Sequence, residues 1–166
     1  WGVTDAVLLA LLGGISAMLI TAPFAPLLAR YRGIFFSMLT LALSMVGYGL
    51  LVKTESLGGS DGFNMGRVTL FGQTLADQQV SFTVYAVTLF FAVASSLFAR
   101  IYFSSTRGLI TQAIKDNELR VEYMGGSVSR SMAINFWLAS FLGGLGGALA
   151  VMALGHIEPN FSYWTA

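Results

Sequence analysis

The chain has no cysteine, a single histidine and three prolines in 166 residues, and only 10% of its side chains are charged. Without cysteine there can be no disulfide, no thiolate nucleophile and no thiolate metal ligand, and the redox compartment leaves no trace. The lone His156 has no ligand-type neighbours that would complete a metal site. A net charge of +1 gives no general attraction for nucleic acid. The shortage of charge is also uneven, because Ala6–Ala29, Ile34–Val52, Phe82–Ala99 and Met132–Leu154 contain no charged side chain at all. Each run is near the roughly 20 residues that an α-helix, rising about 1.5 Å per residue, needs to cross the hydrocarbon core of a bilayer.

What is present agrees with what is missing. Hydrophobic residues make up 55% of the chain, and a helix on a soluble surface would need a polar face that these runs lack. A membrane β-barrel would alternate apolar and polar residues, whereas Leu39-Thr40-Leu41-Ala42-Leu43-Ser44-Met45-Val46 lies inside a longer, almost wholly apolar run. The expected fold class is an all-α polytopic membrane protein. It should be a bundle of about four transmembrane helices (spans near 6–29, 34–52, 82–103 and 132–154) with a loop over 53–81 and a short polar coupling helix within 104–131. With no initiator Met and no signal-like opening, a chain that starts at Trp1 reads as an internal piece of a longer membrane protein.

Charge sets the expected orientation. The connection at Arg30-Tyr31-Arg32-Gly33 and the segment from Arg100 to Arg130 together hold seven basic residues against three acidic ones. The opposite side has Lys53 and Arg67 against Asp5, Glu55, Asp61, Asp77 and Glu158. Lys and Arg are retained on the cytoplasmic face, so the first pair of segments should face the cell interior and both ends of the chain the exterior. No Asp, Glu, Lys, Arg or His sits within the four charge-free cores, which argues against an ion or proton path through this chain. A neutral or zwitterionic solute driven by energy supplied elsewhere remains open.

Several features stand out within the spans and at their edges. Pro23 and Pro26 should kink the first span or end it early, since each removes a backbone donor. Ser140, Gly144 and Ala148, with Gly143 and Gly147, recur every four residues in the last span and should let another helix approach closely. Thr40 and Ser44, one turn apart, either line a polar pathway or hydrogen-bond between helices. Trp137, Tyr163 and Trp164 fit an interfacial belt or bundle packing. No catalytic pair or nucleophile arrangement is visible, so the chain does not read as an enzyme.

The 27 residues from Ser104 to Arg130 are too polar for hydrocarbon. Ser104-Ser105-Thr106 offers N-cap side chains and Gly125-Gly126 a helix stop. Leu109, Ile110, Ala113, Ile114, Val121 and Met124 recur at near-helical spacing, and Asp116 and Arg120 stand at a supporting i, i+4 spacing. The predicted element is one short amphipathic helix. Its mixed polar face, with Asp116, Glu118 and Glu122 against Lys115 and Arg120, suits a partner protein better than anionic lipid. No phosphate-binding loop is present, since Gly58-Gly59-Ser60-Asp61-Gly62 lacks the Gly-Lys-Ser/Thr ending. Nucleotide energy would therefore arrive through another subunit.

These residues carry a resemblance. Gly108, then Ala113-Ile114-Lys115-Asp116-Asn117-Glu118, Arg120, Glu122 and Gly125, resembles the coupling segment G-x-x-x-x-A-I-R-E-N-E-x-R-A-E-x-L-G of branched-chain amino-acid ABC importer permeases. Arg32-Gly33-Ile34-Phe35-Phe36-Ser37-Met38-Leu39-Thr40-Leu41-Ala42 is similar to that family's R-G-I-Y-F-A-M-L-T-L-A span, and Leu57-Gly58-Gly59-Ser60-Asp61-Gly62-Phe63 to its T-G-G-S-D-G-L loop. Leu142 to Leu149 resembles its A-G-L-A-G-A-L helix, and Gly155-His156-Ile157-Glu158-Pro159 its G-F-V-S-P continuation. Lys115, Asp116, Val121 and Leu57 are mild departures, and Leu109 replaces a residue that is often basic.

The resemblance implies a pore subunit of the second-permease type, in a bacterial or archaeal cytoplasmic membrane. It would pair with a homologous permease, two cytoplasmic ATP-binding subunits that use ATP and Mg, and an extracytoplasmic solute-binding protein, with no cofactor of its own. Gly108, Ala113, Ile114, Lys115, Asp116, Asn117, Glu118, Arg120, Glu122 and Gly125 would couple it to the ATPases. Gly58, Gly59, Ser60, Asp61 and Gly62 would form either a sharp turn or an external gate. A urea or short-amide importer is the nearest alternative, although its loop tends to read G-G-N-N-G. A membrane scaffold or a membrane enzyme is a more distant one.

Overall fold

The computed structural model describes residues 5–31, 33–54, 63–64, 69–70, 73–74 and 77–157. Seven helices follow in order: α1 Ala6–Thr21, α2 Ala25–Leu28, α3 Ile34–Lys53, α4 Asp77–Ser104, α5 Thr106–Asp116, α6 Glu118–Tyr123 and α7 Val128–Leu154. Four two-residue strands complete the described elements: β1 Phe63–Asn64, β2 Thr69–Leu70, β3 Gln73–Thr74 and β4 His156–Ile157. The protein is an all-α membrane protein. Among the described residues, three helices are long and apolar enough to cross a bilayer, over Ile34–Lys53, Phe82–Ser104 and Val128–Leu154. The fourth apolar helix, α1, has 16 residues and at about 1.5 Å per residue falls short of a core about 30 Å thick.

Proline explains that shortfall. α1 stops at Thr21, a turn follows, and α2 restarts with Pro26 in its first turn, where a missing N–H costs least. Pro26 cannot donate to the carbonyl of Ala22 four residues earlier, and an orphaned carbonyl is costly away from water. The indole N–H of Trp137 donates to that oxygen at 3.4 Å. Trp137 therefore closes the break between α1 and α2. Elsewhere in the spans hydroxyls bond to carbonyls of their own helix, as in Thr21 to Ala17, Thr40 to Phe36 and Ser140 to Phe136.

The most extensive packing pairs α1 with α7. The two run antiparallel: Ala22 meets Trp137, Gly14 meets Phe141, and Gly13 lies against Gly144 and Ala148. Below this seam Ala6, Ala10, Val84, Phe91, Leu145, Leu149 and Met152 form the main apolar cluster, which brings in α4. By contrast α3 contains no buried residue and touches the rest chiefly through α2 and an edge-on ring contact of Phe36 with Phe136 at 6.3 Å. The starts of α3 and α7, the end of α4, and α5 with α6 all share one end of the bundle. Arg30, Arg100, Arg107, Lys115, Arg120 and Arg130 gather there. At the other end Gly155, at φ +71°, caps α7 with a bond to the Val151 carbonyl.

Candidate functional site

The polar insert is built as three short joints rather than one lever. At the first, the Ser105 hydroxyl accepts the Gly108 N–H at 3.4 Å and donates to the Tyr102 carbonyl at 2.6 Å, so the end of α4 and the start of α5 share one side chain. The chain folds back so tightly here that a Cβ on Gly108 would lie 2.4 Å from the Tyr102 carbonyl oxygen and from the Phe103 Cα. Only glycine fits.

The second joint corrects the expectation of a single amphipathic helix. Asn117 adopts extended backbone angles, φ −160° and ψ 102°. Its N–H closes α5 on the Ala113 carbonyl, while its side-chain oxygen accepts the Arg120 N–H at 3.0 Å and opens α6. An amide side chain that can cap out-competes helix continuation at this position. Asp116 and Arg120 thus lie on different helices, and their spacing gives no intrahelical pair. Asn117→Ala is expected to cost about 1 kcal/mol of insert stability and Asn117→Gly a few tenths. Hydrogen-exchange rates of the amides from Glu118 to Tyr123 measure both.

At the third joint Gly126 N–H bonds to the Val121 carbonyl and Gly125 N–H to the Glu122 carbonyl, with Gly125 at φ +83°. That is the double bond of a Schellman ending. Ser127 then caps α7 through the Arg130 N–H, so α7 starts at Val128, earlier than the charge-free run suggests. Helix α4 likewise starts at Asp77, ahead of residue 82.

Apolar packing seats the insert on the bundle. Ile114, Val121 and Val128 are buried together, with Ile110, Ala113 and Met132 against them. Leu109 and Met124 leave the expected apolar face: they are 57% and 72% exposed, Leu109 on α5 ahead of the break at Asn117 and Met124 at the C-cap of α6. With Leu119 and Tyr123, the latter 88% exposed, they give the insert an outward apolar surface among Lys115, Asp116, Arg120 and Glu122. Leu119 and Tyr123 were missed in the sequence, although their i, i+4 spacing was a usable signal. Behind the insert a cavity of about 640 Å³ is lined by Phe36, Ile114, Lys115, Glu118 and Phe136, among others.

The remaining predicted residues divide. Thr40 donates to the Phe36 carbonyl of its own helix at 2.6 Å, and Ser44 is exposed on α3. Gly58, Gly59, Ser60, Asp61 and Gly62 lie outside the described residues. The end of the Leu57–Phe63 stretch does meet the Gly155–Pro159 stretch: Phe63 pairs with Ile157 and Asn64 with His156 in an antiparallel ladder.

Spanning helices around a glycine seam, with one capped insert at the basic end, define a polytopic membrane protein built to present a surface outside the bilayer. The chain belongs to the permease family of ABC transporters for branched-chain amino acids: residues 2–166 match the family described as the branched-chain amino acid transport system, permease component. Membership implies companion components of such a transporter. No curated protein and no solved structure matches the chain.

Proposed function

We propose that this chain is a pore-forming subunit of an importer that carries branched-chain amino acids into the cytoplasm. It would work beside a second, homologous permease, two cytoplasmic ATP-binding subunits and an extracytoplasmic solute-binding protein. The chain itself would bind no nucleotide, and ATP and Mg would be used by the partner subunits. The observation that carries this reading is the insert: α5 and α6 are seated on the bundle by Ile114, Val121 and Val128 while Leu119, Tyr123 and Met124 face outward beside four charged groups. Aromatic and apolar groups ringed by charge suit a protein partner. The gathering of basic residues at that end supports a cytoplasmic position.

The test is uptake of labelled leucine by vesicles holding the complete transporter, with urea as the competing solute. Leucine uptake that needs ATP and the binding protein is expected, and urea uptake in its place would reassign the substrate. Glu122→Lys, on the outward surface of α6, should lower uptake by about 100-fold, within the several kcal/mol that a like-charge contact costs in an interface. Its insertion into the membrane should be normal. Wild-type uptake by that variant would remove α6 from the ATPase interface.

A further inference from the structure

Three side chains from three helices form one directed chain of hydrogen bonds where the spans meet the insert. The Tyr102 hydroxyl of α4 donates to Asn135 Oδ1 of α7 at 2.6 Å. Asn135 Nδ2 donates to Thr111 Oγ1 of α5 at 3.0 Å. The Thr111 hydroxyl donates on to the Arg107 carbonyl at 3.0 Å. Both ends of the Asn135 amide are engaged, and the Thr111 hydroxyl accepts from one side while donating to the other. Such a chain is cooperative and sensitive to the loss of any member.

Its surroundings make it more than local glue. Asn135 and Thr111 line two cavities, one of about 640 Å³ toward Ile114 and Phe36, the other of about 330 Å³ toward Phe98 and Leu138. Side chains that line these open pockets have packing partners on one side only. Across this stretch, between the apolar seat at Met132 and the backbone contact of Gly108 with Tyr102 and Phe103, the hydrogen bonds are the side-chain link that ties α5 to α7 and α4.

We infer that Asn135 is a positioning residue for transport: it is the joint through which movement of α5 turns α4 and α7 together. This rests on the proposed reading of the insert as the element moved by the ATPases. A merely structural bond would change how much transporter assembles, whereas a joint changes how much solute moves for each ATP hydrolysed.

The experiment measures that ratio in vesicles holding the complete transporter with its ATP-binding subunits and solute-binding protein. Tyr102→Phe removes the bond to Asn135, and Thr111→Val removes both the bond from Asn135 and the one to the Arg107 carbonyl, each with little change of shape. Both should lower the ratio about fivefold while ATP hydrolysis stays within about twofold of wild type. Thr111→Ser keeps the hydroxyl and should keep the wild-type ratio. An unchanged ratio in Tyr102→Phe and Thr111→Val, or hydrolysis and uptake falling in proportion, overturns the joint alone. A wild-type complex that hydrolyses ATP without moving leucine overturns the importer reading and this inference with it.

Discussion

Gly144→Ala loosens α1 from α7 and lowers the stability of the bundle, by about 1–3 kcal/mol for the added methyl group, and Gly144→Leu prevents the pair from seating. At this position a Cβ would stand 2.4 Å from the Ala17 Cβ and 2.5 Å from the Gly13 carbonyl oxygen. Neither neighbour can swing aside, because one is backbone and the other is a methyl group fixed to it. The reciprocal approach is as close: a Cβ on Gly13 would lie 2.6 Å from the Ala148 Cβ. In lipid no hydrophobic force draws two apolar helices together, so this contact is a main source of their affinity. Separating the backbones to admit a side chain forfeits it along the whole seam. Alanine favours helix over glycine by about 1 kcal/mol, which works in the opposite direction and offsets part of that loss.

The control is one residue away. Gly143 has nothing within 4 Å of its Cβ position and Gly147 has nothing either. Gly143→Ala should leave the fold of this chain unchanged or slightly firmer. Detergent unfolding followed by circular dichroism separates the two cases, and equal midpoints for Gly144→Ala and Gly143→Ala would show that the seam does not hold α1.

Gly108→Ala is the second large effect, and it acts on the insert rather than the bundle. Residue 108 is the third of α5, so propensity alone would favour alanine there by about 1 kcal/mol. The elbow forbids it. The new methyl group would meet the Tyr102 carbonyl oxygen and the Phe103 backbone at 2.4 Å. Those atoms belong to the last turns of a spanning helix and cannot retreat, so α5 must swing out. Overpacking of this kind costs about 1–3 kcal/mol, enough to outweigh the gain in propensity. Moving α5 also draws Ile114 from its place against Val121 and Val128, and Thr111 from Asn135. The expected result is normal membrane insertion, faster proteolysis between Arg107 and Arg120, and loss of ATP-driven uptake. An insert as protease-resistant as wild type would mean that the elbow tolerates a side chain.

Much of the insert was legible before any coordinates. Ser105 as a cap, the Gly125-Gly126 stop and the inward set of Ile114 and Val121 follow from side-chain chemistry that acts over three or four residues. The break at Asn117 was not, because an asparagine can continue a helix or cap a new one, and the packing of Val121 against Val128 favours the second. That choice put Met124 at the C-cap of α6, whereas Leu109 is exposed on α5 ahead of the break. In the spans, the four-residue spacing marked two small-residue faces but not which of them is used. Gly144 and Ala148 meet α1, and the Gly143 and Gly147 positions remain open within this chain.

By itself the sequence determined the solvent: stretches without charge, separated by segments that carry all of it, have no stable home except across a bilayer. It also determined the caps and stops, since these are satisfied within one turn of the chain. Tertiary structure alone decided which helices touch, that Trp137 serves the carbonyl left bare by Pro26, and that Tyr102, Asn135 and Thr111 join three helices in one line. Those pairings connect residues far apart along the chain, and nothing in local propensity selects one distant partner over another of similar shape and polarity. Only simultaneous packing of the helices does.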